Sequence, residues 1–176
     1  MPRKGWRKER PEVGDPTDPE TFIGPLVDNA ACIELDRQLS ESVKLGGEIV
    51  AGGRRGEDGS CYFDPVIIVN APPESPVAVE ETFGPVLPVF TFNEYESVIT
   101  DANSSQYGLA SSVWTRDRNL IKKVARDLDS GSVSINGFSR SDPALPFGGV
   151  KSSGYGRELS RLGLLEFVNI KTVTIF

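Results

Sequence analysis

Two adjacent carboxylates stand directly before an aromatic ring and a Gly-Pro turn in the stretch EETFGPVLPVF, residues 80–90. The acids are Glu80 and Glu81, and the ring belongs to Phe83. A carboxylate at the end of a buried strand is costly unless it meets a partner, so this pair is a candidate for holding a ligand. A solvated turn is the alternative, and the segment taken alone favours the turn.

A second candidate is the glycine-rich stretch PFGGVKSSGYGRE, residues 146–158. Its G-x-G-x-x-L pattern lacks the third glycine of the dinucleotide fingerprint, and it follows a loop rather than a strand. A phosphate cradle is therefore the weaker reading, and a tight backbone turn leading into a helix is favoured. Arg157 and Glu158 are expected to form local ion pairs on that helix.

Several classes of catalyst are excluded by composition. The chain has no histidine, which removes Ser-His-Asp and Cys-His catalysis together with histidine metal ligands. Its two cysteines, Cys32 and Cys61, form no C-x-x-C pair and have no activating base beside them, so neither is predicted to be a nucleophile. Cys32 lies on a helical pattern and is expected to be a small buried hydrophobe. We predict no catalytic residue and no metal site within this chain.

The composition, with 38% hydrophobic and 25% charged residues, is that of a globular protein. No apolar run approaches the roughly 20 residues that span a bilayer, and the basic N-terminus lacks the apolar core of a secretory signal. The sequence therefore predicts a cytoplasmic protein without a membrane partner. Residues 1–10 carry five basic side chains, but the chain has a net charge of −6, and its acidic body argues against binding nucleic acid.

Strand and helix patterns alternate along the chain, which favours a layered α/β domain with a largely parallel sheet. Gly46 is predicted to end the first helix, Pro88 to mark an edge strand or a bulge, and Asn93 and Asp117 to cap two later helices. The predicted helices lie in LVDNAACIELDRQLSESVKLGG, in the segment from Asn93 to Ala102, in the segment after Asp117, and in GRELSRLGLLEF. The predicted strands are EIVAGG, YFDPVIIVN, VLPVFTF, ASSVWT, SVSIN and, at the end, VNIKTVTIF.

Six stretches in a fixed order resemble the C-terminal portion of the NAD(P)-dependent aldehyde dehydrogenase family: GDPTDPETFIGPL, EETFGPVLPV, YGLASSVWTRD, GSVSIN, PFGGVKSSGYGRE and EFVNIKTV. The resemblance covers residues 14–176, and SDPALPFGGVKSSGYGRELS most resembles the succinate-semialdehyde dehydrogenase branch. It implies an α/β fold: part of a layered catalytic domain over 14–165 and a C-terminal oligomerisation strand over 166–176. Residues 1–13 form an atypical basic segment, either an out-of-frame start or a divergent connecting helix.

The resemblance also assigns roles to individual residues. Glu81 matches the glutamate that hydrogen-bonds the ribose beside nicotinamide, and Phe83 matches the aromatic residue that packs beside that ring. Leu109 matches an apolar contact near the same ring. Ser141 matches a serine that binds the substrate carboxylate, and Phe138 is expected to form a wall of the same substrate-binding loop.

Two family motifs do not occur in these 176 residues: the G-Q-x-C stretch with the nucleophile and the E-L-G-G-K stretch with the general base. The resemblance places the family's G-x-x-x-x-G cofactor turn upstream of all the stretches matched here. Thiohemiacetal formation requires the thiolate, so no dehydrogenase activity is expected from this chain alone. The complete enzyme would use NAD or NADP. Binding of the cofactor by this chain alone is doubtful, since it would hold only a fraction of the contact surface.

Two functions are compatible with these observations. The chain is either part of an aldehyde dehydrogenase that works with a separately made N-terminal half, or a non-catalytic interaction module. In the second case the apolar strand VNIKTVTIF, lacking a partner hairpin, would pair with a second copy or with a full-length homologue. A homo-oligomer formed through this strand is the expected solution state.

Overall fold

The computed structural model describes residues 12–53 and 60–176. The five basic side chains of the predicted N-terminal segment lie outside the described residues. The chain divides into two compact units, Met1–Thr91 and Phe92–Phe176. None of the described helices is long and apolar enough to cross a membrane.

The first unit contains one mixed sheet and two helices. The order along the chain is α1 (Asn29–Lys44), β1 (Glu48–Ala51), β2 (Val66–Val69), α2 (Pro76–Val79) and β3 (Val86–Val89). Strand β2 lies in the centre, antiparallel to β1 and parallel to β3. Pro88 is therefore in an edge strand, as predicted, where its missing N–H leaves no inner strand unpaired.

Helix α1 packs its apolar side against this sheet. Asp28 begins the helix, since its Oδ1 accepts a hydrogen bond from the Ala31 N–H at 2.8 Å. Gly46, with a φ of 118°, follows its C-terminal end, which confirms the predicted stop. Cys32 is fully buried, which confirms its expected place as a small hydrophobe. The core cluster consists of Leu35, Leu39, Phe63, Val66, Ile68, Ala71 and Val77.

The second unit is built from two small strand pairs and three helices. Its elements are α3 (Tyr95–Ser104), β4 (Tyr107–Gly108), β5 (Ala110–Val113), α4 (Arg118–Asp127), β6 (Ser132–Ile135), β7 (Val150–Lys151) and α5 (Ser160–Leu165). Strands β5 and β6 are parallel, whereas β4 and β7 are antiparallel. Asp117 caps α4 by accepting from the N–H groups of Asn119 and Leu120, as predicted.

Two local predictions fail in this unit. Asn93 does not cap α3, because the N-cap position is occupied by Glu94, whose side chain makes no capping hydrogen bond. The helix predicted across GRELSRLGLLEF is confined to the six residues of α5. Arg157 and Glu158 consequently precede the helix and cannot form the ion pairs expected along its surface.

The predicted sheet and final strand also differ from the structure. The described strands form three small sheets with two parallel and two antiparallel pairings, so the sheet is not largely parallel. Residues 169–176 have no strand assignment, because a strand requires a hydrogen-bonding neighbour and none of the described segments pairs with them. Pairing of this segment across an oligomer stays a prediction.

Strand β6 begins in very close contact with the glycine-rich segment. A Cβ atom added to Gly131 would lie 1.7 Å from the carbonyl oxygen of Gly148, a distance that no side chain tolerates. The Gly131 N–H also donates to the carbonyl of Gly108 at 3.0 Å. The backbone of Gly131 is thus fixed between β4 and the glycine-rich segment, and only glycine fits there.

Candidate functional site

The two acids that precede the Gly-Pro turn have different surroundings. The Glu80 carboxylate accepts from the Arg37 guanidinium at 2.5 Å and, through Oε2, from the Gln38 amide at 3.0 Å. The Glu81 side chain is exposed and makes no hydrogen bond or ion pair among the described residues, whereas its backbone carbonyl accepts from Gln38 Nε2 at 3.2 Å. Glu80 is therefore the acid bound within the unit, and Glu81 is the acid presented to solvent.

Arg37 stands among three carboxylates. It pairs with Glu34 and Glu41 on its own helix as well as with Glu80. The hydrogen bond that Arg37 donates to Glu34, followed by the one it donates to Glu80, raises the pKa of Arg37 above its ordinary value. The hydrogen bond from Arg37 lowers the pKa of Glu34. These groups are solvent-accessible, so the pairs orient side chains more than they stabilise the fold.

Phe83 and Gly84 complete this segment. The Phe83 ring is 78% exposed, which leaves one of its faces free to meet a ligand. A Cβ atom on Gly84 would lie 2.7 Å from Leu35 Cδ2, so α1 packs directly on the backbone here. The carbonyl of Pro85 then accepts from the Val66 N–H at 2.8 Å, which leads the chain into β3.

The glycine-rich segment of the second unit is folded back on itself. Phe147 and Glu158 form an antiparallel bridge, and Arg157 Nη1 donates to the carbonyls of Gly149 and Gly156 at 2.9 and 2.6 Å. Lys151 Nζ donates to carbonyls at the end of α3. The glycine-rich segment therefore forms the predicted tight turn, and its basic side chains Lys151 and Arg157 donate hydrogen bonds to backbone carbonyls.

Leu109 lies beside this turn. Its side chain is 43% exposed and lines an open groove of about 690 Å³. The opposite walls of the groove come from the glycine-rich segment and from α5, including Phe147, Gly148 and Leu164. The predicted apolar contact is thus accessible to a ligand.

Phe138 and Ser141 share the connection that follows β6. The Phe138 ring, 72% exposed, packs edge-on against Trp114, with ring centroids 5.6 Å apart. Asn136 orients this connection: its side chain exchanges two hydrogen bonds with the backbone of Thr115, at 2.8 and 2.9 Å. Ser141 is exposed on the loop beyond.

Trp114 is a residue of this region that the sequence did not single out. It directly follows β5, and Phe138 comes shortly after β6, the strand parallel to it. The carboxyl ends of adjacent parallel strands meet at one edge, and ligands bind there in many α/β folds. A prediction that β5 and β6 are parallel neighbours would have identified Trp114 as a residue of this edge.

The structure thus brings Glu81 and Phe83 together in the first unit. It places Phe138 and Ser141 on one connection of the second unit, with Leu109 in the groove of that unit. The roles assigned to these five residues stay predictions. In the described residues no group of three or more Cys, Asp or Glu side chains is arranged to hold a metal ion.

The chain is similar to known proteins in both sequence and structure. The model of the aldehyde dehydrogenase family matches residues 6–173. The protein named probable succinate-semialdehyde dehydrogenase (NADP(+)) of Synechocystis sp. is 40% identical over 164 residues, which are 93% of this chain and 36% of that protein.

Two solved structures are similar as well. Succinate-semialdehyde dehydrogenase from Burkholderia pseudomallei superposes with a TM-score of 0.87 at 37% identity, covering 91% of this chain and 33% of that one. An aldehyde dehydrogenase of Mycobacterium tuberculosis, complexed with NAD+, has a TM-score of 0.82 at 36% identity, covering 89% and 32%. The chain spans about a third of the length of these relatives.

The contact of Gly84 with Leu35 leads to a stability prediction. Gly84→Ala should lower the free energy of unfolding by about 1–3 kcal/mol, because the added methyl group overpacks a buried leucine. Urea unfolding followed by far-UV circular dichroism measures the change. Gly24→Ala is the matched control, since a Cβ there would meet its nearest neighbour at an ordinary 3.6 Å. Equal midpoints for the two variants would contradict the close packing.

Proposed function

The chain belongs to the aldehyde dehydrogenase family, and from this premise we propose that it is the C-terminal part of an NAD(P)-dependent succinate-semialdehyde dehydrogenase. In the complete enzyme the reaction is oxidation of an aldehyde to a carboxylate. The observation that carries the proposal is the separation of the two adjacent acids: Glu80 is bound by Arg37 and Gln38, whereas Glu81 is presented to solvent beside the exposed ring of Phe83.

These residues fit the nicotinamide end of the cofactor. An exposed carboxylate can accept hydrogen bonds from both hydroxyls of a ribose, and Glu81 is not committed to an ion pair within the described residues. Phe83 limits the positions open to a neighbouring ring. When bound, the cofactor supplies the hydride acceptor. The relatives' names mention NADP(+) and NAD+, and both are candidates for this chain.

The substrate is proposed to be an aldehyde that carries a carboxylate. Ser141 donates its hydroxyl to that carboxylate, and Phe138, braced by Trp114, forms an apolar wall for the carbon chain. A neutral hydroxyl donor binds a carboxylate without needing a second charge in the site. The similarity to succinate-semialdehyde dehydrogenases supports this choice of substrate.

By itself this chain is proposed to be inactive. Its sequence contains neither G-Q-x-C nor E-L-G-G-K, and Cys32 is fully buried, where a thiol is not available to a substrate. The nucleophile and base would come from another polypeptide segment, either a separate N-terminal half or a full-length homologue. The assembly is proposed to be cytoplasmic, without nucleic-acid or membrane partners.

A chimeric enzyme tests the proposal. The matching third of the Synechocystis relative is replaced by residues 6–173 of this chain, and NADPH formation is followed at 340 nm with succinate semialdehyde and NADP+. We expect the chimera to oxidise the aldehyde and the 176-residue chain alone to form no NADPH above background. A folded but inactive chimera, or activity of the chain alone, would contradict the proposal.

Ser141 can be tested within the same chimera. Ser141→Ala should weaken binding of succinate semialdehyde by about 1–3 kcal/mol, because a carboxylate loses one hydrogen-bond donor. The KM for butanal, which has no carboxylate, serves as the control and should stay unchanged. An unchanged KM for succinate semialdehyde would remove the main support for the substrate.

A second candidate function is that of an interaction module. The apolar side chains at the C-terminus favour it: Ile170 is 80%, Val173 76% and Ile175 92% exposed, and the segment that carries them pairs with no described strand. Exposed apolar strands of this kind are templates for pairing with another chain. The occupant is proposed to be a second copy or a full-length homologue.

Analytical ultracentrifugation tests this second function. The 176-residue chain should sediment as a dimer or larger assembly, and a variant lacking residues 169–176 should sediment as a monomer with an unchanged far-UV spectrum. The reason is that removal of this segment takes away the exposed apolar residues that drive association. If the 176-residue chain is monomeric and also fails to join a full-length homologue, the interaction module is excluded.

A further inference from the structure

Gln38 is a buried polar side chain on helix α1 that belongs to none of the sequence motifs and to which the proposed function assigns no role in cofactor binding. It is 3% exposed, and its Nε2 donates to two acceptors on a segment more than 40 residues away. One acceptor is the carboxylate of Glu80 at 3.0 Å, and the other is the backbone carbonyl of Glu81 at 3.2 Å. A single amide thus contacts both acids of the pair.

The neighbouring turns of α1 hold the same segment on either side of this contact. One turn further along, the Ser42 hydroxyl accepts from the Val77 N–H at 3.2 Å. One turn earlier, Leu35 packs on the backbone of Gly84, where a Cβ would approach to 2.7 Å. Leu35, Gln38 and Ser42 follow one face of the helix at spacings of three and four residues. Helix α1 and the segment 77–84 therefore run antiparallel and are joined at three successive points.

The side chains of interest lie at or between two of these points. Glu81 lies at the Gln38 contact, Phe83 lies between it and the Leu35 contact at Gly84, and both side chains are exposed. The backbone under them is held at both ends, while the groups themselves remain accessible. Such an arrangement keeps a binding group in place without covering it.

We propose that Gln38 is a positioning residue for the segment 80–83, which holds the backbone that presents Glu81 and Phe83 to the cofactor. This inference rests on the proposed function and adds a residue to it. Gln38 touches no ligand, and acts through the carbonyl of Glu81 and the carboxylate of Glu80. Removing its two hydrogen bonds frees the segment at one end while Leu35 still holds the other.

A role as a core filler does not account for Gln38. Burying an amide costs free energy unless its hydrogen-bonding groups find partners, and an apolar side chain of similar size would fill the same volume at no such cost. Gln38 has the reach to join two acceptors that follow each other along the chain. Arg37, the preceding residue, also binds Glu80 but makes no contact with the Glu81 carbonyl among the described hydrogen bonds.

Backbone dynamics of the full 176-residue chain provide the test. Amide ¹⁵N relaxation is measured for wild type and for Gln38→Met, which keeps the side-chain length and removes both donors. The order parameters of Glu81, Thr82 and Phe83 should fall from about 0.85 to below about 0.6, the range of flexible backbone. Those of β2 should not change, because a loss of stability alone does not alter fast local motion in the folded state.

Arg37→Met is the matched control. It removes the exposed ion pair to the same carboxylate, and it should leave the order parameters of 81–83 near the wild-type values. Unchanged order parameters in Gln38→Met, or an equal loss in both variants, would overturn the inference. If Gln38→Met does not fold, Gln38→Asn tests the same bonds, because it keeps the amide in the core but shortens its reach by one methylene group.

Cofactor kinetics separate this inference from the proposed function. In the chimeric enzyme, Gln38→Met should raise the KM for NADP+ about fivefold and leave the KM for succinate semialdehyde unchanged. A purely structural defect would lower the amount of active enzyme and leave both KM values unchanged. A different outcome is that Glu81→Gln leaves the KM for NADP+ unchanged while Gln38→Met lowers the order parameters of residues 81–83. The cofactor role of Glu81 then fails, and the positioning of the segment 80–83 by Gln38 stands.

Discussion

Buried polar groups must find partners, and in the first unit this constraint determines how the chain between α2 and β3 is placed. Gln38 and Ser42 are buried on the face of α1 that also carries Leu35, and both side chains bond to groups between Val77 and Glu81. An apolar face would allow the segment to slide along the helix, because dispersion contacts are not directional. Specific donors and acceptors fix one register, and the exposed acid and ring follow from it.

Side-chain hydrogen bonds also organise the second unit, where they bind backbone groups that a neighbouring strand would otherwise bind. Asn136 continues the pairing of β5 and β6 beyond their last residues by bonding to both backbone groups of Thr115. Lys151 and Arg157 donate hydrogen bonds to carbonyl groups at the end of α3 and inside the glycine-rich turn. Short strands are therefore sufficient, since polar side chains complete the hydrogen bonding around them.

Some local features were predictable from the sequence, whereas the cap of α3 and the length of α5 were predicted wrongly, and long-range partners were not predictable. The cap at Asp117, the stop at Gly46 and the edge position of Pro88 depend on nearby atoms, and each was predicted correctly. Strand direction depends on which segments meet, so the parallel sheet was predicted wrongly. Gln38 was missed for a similar reason: a lone glutamine on a helix has no local signature for acceptors some 40 residues away. The roles of Glu81 and Ser141 came from family resemblance rather than from periodicity.

The contact between Gly131 and Gly148 also has an evolutionary consequence. It closes a loop whose two ends are fixed to each other, and residues 137–147 between them, most of them exposed, carry Phe138 and Ser141. Loop length is inexpensive in entropy once the ends are joined. Descendants of this sequence can therefore lengthen, shorten or rewrite the interior of the loop, provided that Gly131 is kept, because any larger residue there would meet the Gly148 carbonyl.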